Sequence, residues 1–392
     1  MGLVGEKEAA SPGVDFLEWL GPDTSAVVFA LLRDPADIAR ASAVSRSWRT
    51  IVLATHFSKI QCLRICPDVA NFTRIEQVTS ANDSSSNVAV AESSAATAAA
   101  WETHERDHMV YTHLAHTLLS PRTSQNCIAG CIGASSTDNF PEESIENTLD
   151  PWEVVDLMNL EPSYWSSGGQ ADPAVPEYLI YRLSSDLCLI NEIRVQPFRA
   201  FFQAGHPIFS AQYVRFRLGY PKMPLQPEDL VSDENEGKLI ADSNYIWTYT
   251  SPEFPMLQEN VLQSFELPRS VLCIGGVVKV ELLGRVQKQQ ADDLYYICVT
   301  HVQILGTPLS SEFGAAASIS DLVLKYCPAP VGSSCSKLSC SRSKWRNFEA
   351  RLWHEVTGPG IGLNQELLSR LLGPSFQFLV DDDDEMKDAS PI

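Results

Sequence analysis

Between residues 123 and 309 the apolar side chains keep a period of two, and that alternation restricts the middle of the chain to β-sheet. In Ala211-Gln-Tyr-Val-Arg-Phe-Arg-Leu218, Val214, Phe216 and Leu218 fall on one side while Tyr213, Arg215 and Arg217 fall on the other. That is the pattern of a half-buried antiparallel strand. Tyr178–Leu183, Leu187–Val195, Tyr245–Thr250, Val277–Leu283 and Tyr295–Leu305 are similarly β-branched and aromatic, with Gly and Pro between them. Several such strands joined by long connections predict an antiparallel β-sandwich of jelly-roll type over 121–310.

The flanks have helical periods instead. Asp15–Leu20 predicts a short helix ending at Gly21, and Pro22 suits the first turn of a second, with Val27, Val28, Leu31 and Leu32 on its apolar positions. Asp34-Pro35 restarts the chain, Asp34 as N-cap and Pro35 at the first helical position. Ile38, Ala41 and Val44 continue that helix, and Val44, Trp48, Ile51 and Val52 give a further apolar face. This unit, 15–62, is too small for a self-sufficient core and is expected to lean on a partner.

Residues 1–14 read as a flexible tail and 63–100 as a linker, its Ser/Ala-rich part at 80–100 disordered for want of large side chains. A helix is expected over 101–120, with Val110, Leu114 and Leu118 at four-residue spacing. A C-terminal helical segment is expected over 311–373, carrying Trp345, Phe348, Leu352 and Val356, then Leu367, Leu368, Leu371 and Leu372. An acidic tail, 374–392, follows with Asp381–Glu385. The fold class is therefore multidomain α and β: N-terminal helices, a central antiparallel sandwich and C-terminal helices.

Twenty-nine Lys and Arg stand against 49 Asp and Glu, a net charge of −20. A surface that acidic repels phosphate backbones and anionic bilayers, so neither nucleic acid nor membrane is an expected partner. No apolar run approaches the roughly 18 residues of a membrane helix, and Met1–Ser11 does not read as a secretory signal. The ten cysteines form no disulfide framework; Cys188, Cys273 and Cys298 lie in apolar runs, and Cys327, Cys335 and Cys340 lack zinc-site spacing. Reduced thiols in the nucleus or cytoplasm, with no metal and no cofactor, are expected.

One motif points to chemistry. His104-Glu105-Arg106-Asp107-His108 is an HExxH, which on a helix puts two imidazoles on one face with a carboxylate placed to polarise a zinc-bound water. The third ligand of the extended motif is missing, with Tyr111 and Leu114 at the glycine and histidine places. A solvated His/Glu face explains the residues as well, and the zinc-hydrolase reading ranks last. Gly358-x-Gly360-x-Gly362 lies between two predicted helices, so it is a loop and not a dinucleotide fingerprint. No catalytic residues are assigned.

The N-terminal unit resembles an F-box. Leu20-Gly-Pro-Asp23, Val28-Phe-Ala-Leu-Leu32, Asp34-Pro35-Ala-Asp37-Ile38 and Ala43-Val44-Ser-Arg-Ser-Trp48-Arg49 carry the likeness, with Pro22 one place later than in the family's Leu-Pro. The resemblance implies three helices that dock the Skp-type adaptor of cullin ubiquitin ligases through Leu20, Pro22, Val28, Leu31, Leu32, Pro35, Ile38, Val44 and Trp48. The middle of the chain is similar to a discoidin-type, galactose-binding-like jelly roll, on Ala134–Asp138, Asn147–Asp150, Tyr164–Gly168 and the closing Tyr295–Gly306. That likeness implies ligand-binding loops, with Asp138, Trp165, Ser166 and Ser167 as candidates, although a buried Trp165 closing the sandwich fits equally. Together the halves look like a plant F-box protein: a non-catalytic subunit that binds the adaptor, and through it cullin, and recruits a target protein, glycosylated or not, for ubiquitin transfer. The alternative is a lectin-like binding module with no ligase role.

Overall fold

The computed structural model describes residues 15–78, 92–120, 123–150, 163–223, 240–318 and 321–328. The chain divides into two units, Met1–Ala329 and Pro330–Ile392. The second unit lies outside the described residues, and with it the expected helices at 345–373, the glycine loop at 358–362 and the acidic tail.

Four helices open the described chain. Helix α1, Phe16–Ala30, is kinked at Gly21, where a φ of 71° that favours glycine lets Pro22 start the second limb. Helix α2 is Pro35–Ser42, α3 Arg46–Ala54 and α4 Phe57–Ile65. The first three starts are capped by side chains: Asp15 accepts from Leu17 N, Asp34 from Ala36 N and Ser45 from Trp48 N. Leu17, Phe29, Ile38, Ala41, Val52 and Phe57 close a small core among them. The fourth helix is a correction to the three-helix expectation. It carries the chain past residue 62 without a break.

The sandwich follows the predicted alternation. One sheet runs β10-β8-β12-β5-β3, with β9 also on β8, where β3 is Ile128–Ala134, β5 Glu177–Leu183, β8 Ala211–Pro221, β9 Tyr245–Thr250, β10 Phe254–Pro255 and β12 Val277–Arg285. The other runs β11-β6-β15-β2, where β2 is Gln125–Asn126, β6 Leu187–Arg199, β11 Gln263–Ile274 and β15 Cys298–Pro308; β4, Trp165–Ser166, pairs with β15 and β7, Ile208–Phe209, with β6. These pairings are antiparallel, as is the short ladder of β13, Gln287–Lys288, with β14, Tyr295–Tyr296. On β8, Val214, Phe216 and Leu218 are buried while Tyr213 is exposed. Facing residues of the two sheets, among them Phe216, Val280 and Leu282 from one and Ile193, Val195 and Val302 from the other, fill one core.

A second core overturns the linker reading of 63–100. After α4 come a 3-10 turn, Pro67–Asn71, and strand β1, Arg74–Gln77. β1 pairs in parallel with β17, Leu322–Tyr326, which pairs in turn with β16, Phe313–Ala317. The start of the expected C-terminal helical segment is therefore sheet. Cys62, Cys66, Val69, Phe72 and Ile75 pack with Leu187, Leu272 and Ile274 of the sandwich and with Leu324 and Tyr326. Helix α5, Glu92–Leu119, begins nine residues before the predicted helix and contributes Val110, Tyr111 and Leu114 to the same core. The disorder expected at 80–100 is thus helix from Glu92 onward; residues 79–91 lie outside the described residues. The physical reason is local. Alanine is the strongest helix former, and the apolar stripe further along α5 anchors the Ala-rich turns. Among the described residues, no helix is long and apolar enough to cross a membrane.

Candidate functional site

The nine residues expected to dock an adaptor separate into three groups. Leu31, Val44, Leu20, Val28 and Pro22 are exposed, Leu31 at 74% and Val44 at 60%. Leu32 and Trp48 are half-buried against the helical core. Ile38 is buried inside it and Pro35 is buried at the first turn of α2, so neither offers an exposed docking group. Trp48 packs edge-on to Phe29, ring centroids 5.4 Å apart, and its indole N–H donates to Asp15 Oδ1 at 3.0 Å. It therefore bolts α3 to the start of α1.

Two exposed residues were not singled out as docking groups from the sequence: Trp19, 81% exposed, and Val27, 62% exposed. Val27 and Val28 on α1 and Leu31 at its C-cap fall at i, i+1 and i+4 and make one outward stripe. The helical core is closed without them. The available signal was the excess of large apolar residues over what one small core can hold.

A second site lies at one end of the sandwich. A cavity of about 110 Å³ is walled by Tyr164, Phe198, Phe202 and Tyr296 and by the polar residues Asp138, Glu143 and Ser166. Tyr164 stacks on Phe198 with centroids 3.9 Å apart and planes 8° from parallel. The Tyr164 hydroxyl donates to Glu143 Oε1 at 2.6 Å, and Glu143 Oε2 is shielded from solvent with no hydrogen-bond partner. Tyr296 donates to Asp292 Oδ2 at 2.5 Å. Burial, and then the charge of Asp292, raise the Asp138 carboxyl above its ordinary pKa.

Of the four candidate loop residues, Asp138 and Ser166 line this cavity while Trp165 and Ser167 do not. Trp165 belongs to the sandwich core, where its N–H donates to Ser136 O at 3.1 Å. Ser167 Oγ accepts from Arg285 Nη1 and from Ile297 N, both at 3.0 Å. Arg285 is fully buried, pairs with Glu177, and also donates to Gly168 O and Tyr295 O at 2.9 and 2.8 Å. Glu177 accepts from the hydroxyls of Ser135 and Ser136 as well. This clamp fixes the strand ends behind the cavity.

The HExxH residues hold α5 to the helices before it. Glu105 pairs with Arg49 on α3 at 2.7 Å, and His108 Nδ1 meets Ser58 Oγ on α4 at 2.7 Å. The His104 ring lies 4.7 Å from that of His56. Burial, chiefly, lowers the pKa of both His56 and His108. Among the described residues, no group of three His, Cys, Asp or Glu side chains is placed to hold a metal ion. Because both partners of the Arg49–Glu105 pair are well exposed, Glu105→Gln should shift stability by less than about 1 kcal/mol in thermal denaturation. A larger loss would give this carboxylate a role beyond a surface pair.

No protein-family model matches the chain. Among solved structures it is similar to a family 32 carbohydrate-binding module of Clostridium perfringens, determined with galactose, at 8% identity, TM-score 0.27, over 44% of this chain and 90% of that one. It is also similar to an F5/8 type C domain of Bacteroides fragilis, at 10% identity, TM-score 0.29, over 45% and 91%. Likeness at such scores says nothing of a ligand, and the sandwich rests on its own strand pairing. The sequence is 47% identical over 304 residues to an F-box protein of Arabidopsis thaliana, spanning 76% of this chain and 78% of that protein. With identity that high over three quarters of its length, the chain belongs to this family of F-box proteins.

Proposed function

We propose that the chain is the target-recruiting subunit of a cullin-based ubiquitin ligase, acting in the nucleus or cytoplasm and carrying out no chemistry itself. The helical unit docks the Skp-type adaptor, and the sandwich holds the protein to be modified. The observation that carries this reading is the set of large apolar side chains left outside a closed helical core: Trp19, Val27, Leu31 and Val44. Exposed apolar groups concentrated on one small unit mark a surface made for a partner, and membership of the F-box proteins supplies the kind of partner. The shared core of α4, α5 and the sandwich supports the division of labour, because it holds the target end at a set position relative to the adaptor end.

The double variant Trp19→Ala, Leu31→Ala tests the docking. Both side chains project into solvent, so helix content by circular dichroism should be unchanged. A central interface anchor commonly contributes about 2 kcal/mol or more, so the loss of even one of the two should lower adaptor affinity by at least about 30-fold. Capture of a target by the sandwich should survive. The assignment fails if the wild-type chain does not bind the adaptor, or if the double variant binds it within twofold of wild type.

A further inference from the structure

We infer that the cavity at the end of the sandwich takes the ammonium end of a lysine side chain, free or methylated, presented by a bound protein. This names the chemistry of the target-recruiting end of the proposed function and in that sense rests on it. The binding is measurable without adaptor or ligase, so the two readings fail separately.

Three features of the cavity converge on a cation. Its walls are aromatic: the stacked Tyr164 and Phe198, with Phe202 6.2 Å from Phe198 at a tilted angle and 63% exposed as a lip. Aromatic faces attract ammonium groups within about 6 Å, and methylated ammonium groups are held by such walls. Glu143 supplies a carboxylate oxygen with neither solvent nor a hydrogen-bond partner, a costly state that a cation in the cavity relieves. Asp138, an exposed carboxylate at the cavity mouth, adds a second negative charge repelled by Asp292, and a cation would ease that repulsion.

Among the described residues, no lysine or arginine lines the cavity to neutralise these groups. The basic residues nearby are engaged elsewhere: Arg285 with Glu177, Lys288 with Asp293 at 2.9 Å, and Arg199 over the Phe201 ring at 5.9 Å. Size decides between a side-chain end and a whole small molecule. About 110 Å³ is well below the roughly 300–1,000 Å³ of ordinary small-molecule sites. A trimethylammonium group has four heavy atoms and fits that space. The net charge of −20 draws a basic segment toward the protein in the first place.

The test is calorimetric titration of the full chain with three capped Gly-Lys-Gly peptides, carrying lysine, trimethyl-lysine or acetyl-lysine, and with galactose. The charged peptides should bind at least tenfold more tightly than the acetylated one. Phe202→Ala should weaken them at least fivefold with an unchanged melting temperature, because the ring is largely in solvent. Glu143→Gln, which keeps the shape and removes the charge, should do the same. Equal binding of the acetyl-lysine peptide overturns the inference. So does binding of galactose with none of the charged peptides, or no binding of any charged peptide at millimolar concentration.

Discussion

Glu177→Ala should lower the unfolding free energy of the sandwich by roughly 3–5 kcal/mol, the usual cost of leaving a buried charge without its partner. Both members of the Arg285–Glu177 pair are essentially without solvent contact. Burial pushes the Arg285 guanidinium below its ordinary pKa, and the charge and hydrogen bond of Glu177 push back. Remove the carboxylate and only the backbone carbonyls of Val175, Gly168 and Tyr295 and the Ser167 hydroxyl remain to receive a full positive charge. Ser135 and Ser136 lose their acceptor in the same step. The double variant Glu177→Leu, Arg285→Met removes both charges and should cost clearly less than the two single changes added together. It should not return to wild type, because those carbonyls lose their donor. Urea titration of the wild type, Glu177→Leu, Arg285→Met and the double variant measures this, and a loss below about 1 kcal/mol in Glu177→Ala or Glu177→Leu would show that the pair is not what fixes the strand ends.

The sandwich was legible in the sequence because each of its long strands has one face in the core and one toward solvent. Tyr245–Thr250 was read to its observed ends, and the in-and-out order of β8 was read side chain by side chain. The second core was hidden for a physical reason. β1 is Arg-Ile-Glu-Gln with Ile75 its one apolar side chain, too few to reveal a period, and its partner β17 is some 250 positions away. One clue was present. Leu187-Cys-Leu-Ile190 and Val271-Leu-Cys-Ile274 are apolar at every position, the mark of strands covered on both faces. Cys188, Ile190, Val271 and Cys273 face the sandwich core, while Leu187, Leu272 and Ile274 face the helices. On the helical unit, periodicity identified the apolar residues but not their direction: Ile38 and Leu31 look alike in sequence, yet one is core and the other surface. Trp165 is the same case in the loops.

Cutting the chain at residue 100, where the Ser/Ala-rich composition suggests a boundary, should abolish cooperative folding, whereas cutting at residue 56 should not. The first cut removes Val69, Phe72 and Ile75, whose burial stabilises by about 5–9 kcal/mol in sum. That approaches the whole stability of an ordinary domain. It removes β1 from the edge of its sheet. It also removes Asp68, a buried carboxylate that receives Arg269 at 2.6 and 2.7 Å and the backbone N–H of Leu272 at 3.0 Å. What remains would show Leu187, Leu272, Ile274 and Leu324 to water, an apolar patch with no cover. The second cut, keeping 57–392, leaves α4, the 3-10 turn, β1 and α5 in place and gives up mainly the separate small core of the N-terminal helices. Its cost is the uncovered Phe57 and the α5 surface that met α2 and α3, so it should melt somewhat lower but in a single transition. Asp68→Ala in the full chain isolates one part of the difference. Arg269 can turn to water because it is partly exposed, while Leu272 N loses a buried acceptor, so a loss of about 1–3 kcal/mol is expected. If the fragment beginning at residue 101 melts cooperatively near the temperature of the full chain, the second core is not structural, and the helical unit is tethered to the sandwich without sharing its interior.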